Sequence, residues 1–395
     1  MTRKLFYQDS YIKEFTATVL ACHPIAEGFE VVLDQTAFFP EGGGQYSDTG
    51  SLVSDGKECE VFDVQEREGV IYHITNLPVL AETQVIGKLN WEERFMKMQH
   101  HTGEHIVSGL VNQMFGYKNV GFHLGSEDST MDFSKELSKE QLRKLEQKAN
   151  EVIVANLEVT ASYPPPEEAK VMDYRSKIEI DTDLRIVTIP ECDVCACCAP
   201  HVGQTGEVGL LKLTQAIRYK GGMRVHMLCG FRALEDYRQK EASVKTISNI
   251  LSIPEENVSL GVENLKEEVT SWKHALREAQ MEILKYKVAN IPASQKMVCF
   301  CEEALEGDLP RHLVNLVLAQ EGREFCAVLY GVEDTGCRYV CGSKTMDLRS
   351  LAKELNQSFS GRGGGKAKMI QGFVQGKMDV IEAWLLEQVE GHGDE

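Results

Sequence analysis

The sequence predicts an α+β multidomain protein. Its expected parts are a small N-terminal β-barrel, an α/β domain with a candidate metal site, a long helical or coiled-coil linker and a C-terminal α/β domain. Three observations carry this reading. Short alternating apolar–polar runs separated by Gly and Asn/Asp turns fill the first 90 residues. A heptad-spaced apolar seam dominates residues 254–288. Strand-like runs and amphipathic helices make up the last hundred residues. The expected boundaries are 1–90, 91–235, 236–290 and 291–395.

In the first part, "FTATVLACHPI", "FEVVLDQTAFF" and "GVIYHITN" alternate apolar and polar residues, as strands with one buried face do. The second part opens with "WEERFMKMQHHTGEHIVSGLVNQMF" as a helix and continues with "GFHLGSEDSTMDF" as a strand pair. "SKEQLRKLEQKANEVIVANL" follows as a helix whose Ser138 and Gln141 have capping-box spacing. In the third part Val258, Val262, Leu265, Val269, Trp272, Leu276, Ala279 and Ile283 recur at spacings of four and three. This seam suits a coiled coil, a helical hairpin or a long helix on a domain face, and Pro254 and Pro292 punctuate its ends. In the fourth, "KMVCFCEEAL", "FCAVLYGVED" and "CRYVCGSK" read as strands, with "DLRSLAKELNQSF" and "MDVIEAWLLEQVE" as helices around "SGRGGGKAKMIQGFVQG".

Composition narrows the function classes. Of the 395 residues, 43% are hydrophobic and 26% charged, as in ordinary globular proteins. No run approaches the roughly 20 apolar residues that span a bilayer, and "MTRKLFYQDS" lacks the apolar centre of a secretory signal. The 12 cysteines are mostly scattered, so a cytoplasmic location is expected. A net charge of −18 argues against bulk electrostatic coating of nucleic acid but permits a local basic groove.

Two short segments concentrate metal-binding side chains. Residues four apart share a helix face, so His101 and His105 can converge, whereas His100 is rotated away. In "ECDVCACCAPH", Cys197 and His201 are also four apart, completing a set of four ligands. Cys192, Cys195 and Cys198 offer Cys-x2-Cys alternatives, and spacing alone does not choose among them. Glu104 lies on another face of the helix from both histidines and is expected to be a solvated surface carboxylate.

"FFPEGGGQYSDTG", "HTGEH", "CCAPHVGQTGEVGLLKL" and "GRGGGKAKMIQG" occur in the order seen in the editing half of alanyl-tRNA synthetases. The chain resembles their free-standing long-form relatives, the AlaX editing proteins, over essentially its whole length. No segment before residue 38 is long enough for an aminoacylation core. The resemblance implies one Zn2+ held by His101, His105, Cys197 and His201. Cys198, Ala199 and Pro200 replace the usual Gly-Gly-Thr, which leaves substrate detail open.

The reaction implied is hydrolysis of the ester joining serine, or glycine, to alanine tRNA, a second sieve that a pocket built for alanine requires. Zinc would position water or the substrate's α-amino group. Thr130, His123, Asp132 and Gln45 are then candidate catalytic or substrate contacts. Gly42, Gly43 and Gly44 offer bare backbone to the tRNA end. "AIRYKGGMR" carries Arg218, Lys220 and Arg224 without a local acid, and "GRGGGKAKMIQG" carries Arg362, Lys366 and Lys368 around Gly363, Gly364 and Gly365. These are candidate phosphate contacts. The expected partner is mischarged alanine tRNA, with no membrane and with a homodimer through the seam or the C-terminal domain. The rival expectations are a zinc hydrolase of another ester or phosphodiester, and a non-catalytic RNA-binding protein with a closed structural zinc.

Overall fold

The computed structural model describes residues 1–176, 184–302, 305–333 and 336–391. The chain divides into two compact units, Met1–Ile247 and Ser248–Glu395. The barrel and the metal-ligand domain, expected as separate parts, therefore form one unit.

Strands β1 (Glu14–Ile25), β2 (Gly28–Leu33), β3 (Gly50–Ser54), β4 (Lys57–Arg67), β5 (Val70–Thr75) and β6 (Gln84–Leu89) close a barrel in the order β1-β2-β5-β4-β3-β6. Alternation along them sends Phe15, Ala17, Val31, Leu33, Val61 and Ile71 inward, as period-two burial requires. "FEVVLDQTAFF" keeps its strand only to Leu33, and its end becomes the buried connection that carries the glycine motif.

Helix α1 (Trp91–Phe115) leaves the barrel directly. Asn90 caps it by accepting from the Glu93 amide, and Gly116 ends it in the left-handed conformation. Arg94 is fully buried and donates Nε to Asp48 Oδ2 at 2.8 Å, while Lys97 donates Nζ to the Ser47 carbonyl at 2.5 Å. These bonds tie α1 to the glycine-motif segment of the barrel, which is why the two parts are one unit.

Strands β7 (Asn119–Leu124) and β8 (Ser129–Phe133) follow, then α2 (Lys139–Val154) with the predicted Ser138–Gln141 capping box formed. Strands β9 (Thr160–Ser162), β10 (Ile186–Ile189) and β11 (Asp193–Ala196) make a small sheet, and β12 (Leu211–Tyr219) and β13 (Gly222–Cys229) join a four-stranded sheet ordered β12-β13-β8-β7. Met131, Phe133, Val225 and Met227 of that sheet pack with Met98, Ile106, Val107 and Leu110 of α1 in one core. Helix α3 (Gly230–Leu251) then leads out of the first unit.

The second unit begins with helix α4 (Val258–Ala289). Its seam residues Val262, Leu265, Val269, Trp272, Leu276 and Ile283 are exposed, whereas Leu284 and Val288 at its end enter a core. The seam is thus exposed over most of the helix.

The sheet is built from β14 (Met297–Glu302), β15 (Phe325–Glu333), β16 (Gly336–Ser343), β17 (Arg362–Lys366) and β18 (Met369–Gln375), in the order β14-β15-β16-β18-β17 with only β14 and β15 parallel. Helix α5 (Leu309–Ala319) joins the core on one face, while α6 (Leu348–Ser358) and α7 (Met378–Gly391) join the core on the other. Among the described residues no helix is long and apolar enough to cross a membrane.

Candidate metal centre

His101 and His105 lie one helical turn apart on α1, in a stretch where Lys97 through Val111 is buried on every side. A helix so enclosed must satisfy each polar side chain internally. His100 is an example: its Nδ1 donates to the Met96 carbonyl at 3.0 Å and its Nε2 accepts from the Cys229 amide at 3.1 Å. Burial pushes its pKa down to about 4, so it serves as a neutral bridge, turned away from the other histidines.

The loop after β11 brings Cys197 and His201 to the same place. The ligand atoms of His101, His105, Cys197 and His201 all lie within 4.8 Å of one another. Cys197 Sγ is 3.4 Å from Nε2 of both His101 and His201. Nitrogen and sulfur donors bound tetrahedrally to one ion stand about 3.3–3.8 Å apart, so these separations fit. Burial, reinforced by the neighbouring His105 and His101, holds the His201 pKa well below the ordinary range and leaves its imidazole neutral.

The opposite ring nitrogens are also held. His105 Nδ1 donates to Asp193 Oδ2 at 2.9 Å, and His101 Nδ1 donates to Gln45 Oε1 at 3.0 Å. His201 Nδ1 lies 3.0 Å from Thr102 Oγ1. All three rings therefore turn Nε2 inward, the arrangement that outer hydrogen bonds impose on metal-binding histidines. Arg175 grips Asp193 through Nε at 2.6 Å and Nη2 at 2.7 Å. Burial pushes the Asp193 carboxyl up, but Arg175 and His105 outweigh it and hold the pKa below the usual carboxylate value. Arg185 donates to the carbonyls of Cys197 and Ala199 at 2.9 and 3.0 Å, shaping the cysteine turn. Gly109 lets that region approach, since a Cβ there would stand 2.3 Å from the Cys192 carbonyl oxygen. The donor set and its supports fit a metal ion.

Of the alternative sulfurs, Cys192 is buried with Sγ 3.6 Å from the Ile106 carbonyl, and Cys198 is exposed. Cys195 groups with His105 and Asp193, but that carboxylate already serves Arg175. Cys197 alone among them joins all three histidines within the described residues.

Glu104 corrects the expectation of a solvated carboxylate, being only 1% exposed. Its Oε1 accepts from Ser108 at 2.8 Å and Asn119 at 2.7 Å, and its Oε2 lies 3.7 Å from His105 Nε2. The helical face that looked free is covered by β7, from which Asn119 reaches in.

The glycine motif forms a tight turn in which Gly42 and Gln45 pair. A Cβ at Gly43 would lie 3.4 Å from Cys198 Sγ and 3.8 Å from His101 Cε1. Gly44, at φ +81°, lies so close to β7 that a Cβ would meet the Phe122 carbonyl oxygen at 2.4 Å. Gly43, Gly44, His101, Glu104, His105 and Cys197 together line a cavity of about 1070 Å³.

His123, Thr130 and Asp132 are not brought to this centre. Thr130 pairs with His123 and with His226, and Asp132 with Arg224, so these residues share one sheet face, while Met131 points into the core beside α1. Strand alternation turns them away. Arg224 and Arg218 do have acids, supplied by other segments: Arg224 binds Asp132 at 2.7 and 2.8 Å, and Arg218 binds Glu136 at 3.0 Å. Lys220 is exposed in the turn beyond β12. Gly363, Gly364 and Gly365 form edge strand β17, with Arg362, Lys366 and Lys368 exposed along it and its turn. Sequence reading missed Asp193, Arg175, Thr102 and Arg185, although Asp193 stands inside the cysteine-rich run.

Residues 7–93 match the family model described as tRNA synthetases class II (A), and residues 184–226 match the threonyl and alanyl tRNA synthetase second additional domain. The alanyl-tRNA editing protein AlaX-L of Pyrococcus horikoshii is 28% identical over 99% of both chains. Homologues of this chain thus include an alanyl-tRNA editing protein. The alanine–tRNA ligase of Pyrococcus abyssi is 32% identical over 97% of the chain, and that of Halobacterium salinarum is 35% identical over 74%. The chain spans 43% of the first ligase's length and 32% of the second's, whereas its match with AlaX-L runs end to end. The second matched segment contains Cys197 and His201.

Proposed function

We propose that this chain is a trans-editing hydrolase that deacylates alanine tRNA mischarged with serine, and secondarily with glycine, using one Zn2+ held by His101, His105, Cys197 and His201. The observation that carries the reading is the convergence of His101, His105, Cys197 and His201 beside a cavity lined by the first three of them and by a backbone glycine turn. Three imidazoles and a thiolate are donors that zinc takes, and full-length homology to AlaX-L supports the substrate class.

The chain's residues divide the work. Zinc, when bound, supplies a Lewis acid that orients the ester or polarises its carbonyl. Glu104, fixed by Ser108 and Asn119, offers Oε2 to orient the attacking water or the substrate's α-ammonium. Water adds to the carbonyl carbon, the bond to the ribose oxygen breaks, and that oxygen leaves with a proton derived from the water. Gly44 lies against the Phe122 carbonyl where a side chain would collide, and Gly43 leaves bare backbone in the cavity lining for the substrate to approach. Tyr7 and Tyr163, also in the cavity lining, suit stacking of the terminal base, and Arg3 and Lys4 suit its phosphates. Arg362, Lys366 and Lys368 would contribute phosphate contacts from the second unit. The heptad spacing of the exposed seam suits a second copy of this chain as its partner, so that substituting Glu for Leu265 is expected to yield a monomer in sedimentation.

The test compares release of serine, glycine and alanine from charged alanine tRNA by wild type and His101→Ala, with metal content measured on the same samples. Fast loss of serine, sparing of alanine and joint loss of metal and activity in the variant support the reading. Bound metal with no deacylation of any ester overturns it in favour of a closed structural site.

A further inference from the structure

We infer that the second unit carries a metal site of its own, with Cys299 and Cys301 of strand β14 and Glu382 of helix α7 as ligands for a thiophilic divalent ion such as Zn2+. Cys299 and Cys301 are two apart on a strand, so both thiols stand on the same face of the sheet. That face packs against α7, which presents Glu382 to them. The three ligand atoms lie within 4.8 Å of one another, and Cys301 Sγ is 3.4 Å from Glu382 Oε2. An oxygen and a sulfur bound tetrahedrally to one zinc stand about 3.5 Å apart, so that pair is already at coordination spacing.

The position suits an ion with an open coordination place. Strand β14 is an edge of the sheet, Cys301 is exposed, and Cys299 and Glu382 are partly buried. Solvent can therefore supply the fourth ligand.

A disulfide is the competing use of this pair. Two residues apart on a regular strand, the Cα atoms are about 6.6–6.8 Å from each other, at the far limit for a disulfide, and the side chains run parallel. Metal ligation needs no such rearrangement. An ion here would clamp α7 to the edge strand, capping an otherwise open β14. The argument is independent of the editing reading, because none of its residues belongs to the first centre.

The full chain, purified under reducing conditions, would be titrated with Zn2+ and with Co2+ as a spectroscopic probe. Two ions per chain are expected for wild type. One is expected for Cys299→Ser/Cys301→Ser, with deacylation unchanged and most of the cobalt–thiolate charge-transfer absorption lost. His101→Ala should keep the ion at the cysteine pair. Glu382→Gln, which leaves both thiols in place and guards against a folding defect in the double variant, should weaken the second ion tenfold or more. An ion content and a cobalt spectrum that stay unchanged in both the cysteine and Glu382 variants would overturn the proposal, whatever the occupancy of the first centre. So would a Cys299–Cys301 disulfide found by mass mapping after the reductant is removed and Zn2+ is added.

Discussion

The Nδ1 atom of His105 donates to Asp193 Oδ2 at 2.9 Å, and Arg175 holds that carboxylate from its other side. The ring is thereby fixed with Nε2 toward Cys197 and the other histidines. Replacing Asp193 by Asn keeps the shape but removes the charge that Arg175 and His105 share. Metal affinity is expected to fall about 10–100-fold, measured by competition with a chelator. Affinity within about twofold of wild type would mean that packing, not this carboxylate, orients the ring.

Glu104 separates metal binding from chemistry. A Gln at this position still accepts from Ser108 and Asn119, so the fold and the metal content should persist. If the carboxylate orients water, Ser-tRNA deacylation should drop about 10²–10⁴-fold. Retained activity with retained metal would reduce Glu104 to a buried packing partner of Asn119.

Gly44 combines φ +81° with a close approach to the Phe122 carbonyl. Alanine there meets both a disfavoured backbone conformation and an overlap at 2.4 Å. Gly44→Ala is expected to destabilise the first unit by about 1–3 kcal/mol and to raise KM for the tRNA end more than it lowers kcat. Urea unfolding and steady-state kinetics on the same variant check both parts.

His73 lies in the barrel core, where Nδ1 donates to the Val31 carbonyl at 3.0 Å and Nε2 accepts from Thr36 Oγ1 at 2.8 Å. Burial pushes its pKa from the ordinary 6.5 down to about 4. The unfolded chain therefore binds a proton first as pH falls, so the contribution is complete above about pH 6.5 and is lost between about 6.5 and 4. The loss amounts to about 3 kcal/mol. The midpoint of urea unfolding should fall across that window, and His73→Gln should flatten the fall.

The barrel was legible because half-buried strands must alternate, and helix α4 because its apolar residues recur at spacings of four and three. His101 and His105 were legible as a candidate pair four apart, whereas the choice of Cys197 among the clustered cysteines came from the family resemblance, and the structure groups it with the three histidines. Glu104 was misread because helical spacing says which side chains share a face but not what covers the remaining faces. His123, Thr130 and Asp132 were misplaced for the same reason on a strand: alternation defines two faces without saying which meets α1. Arg218 and Arg224 looked free because their acids, Glu136 and Asp132, come from other segments.

Local order therefore determined most element types, the glycine turn and the two short segments, 101–105 and 192–201, that carry the candidate ligands. The tertiary structure decided what surrounds them: Asp193 and Arg175 behind His105, Gln45 behind His101, Glu104 under β7, and Cys299 and Cys301 against Glu382. Periodicity is a property of neighbours in sequence, whereas burial, ion pairing and ring orientation are properties of neighbours in space, which come together only when the chain closes on its core.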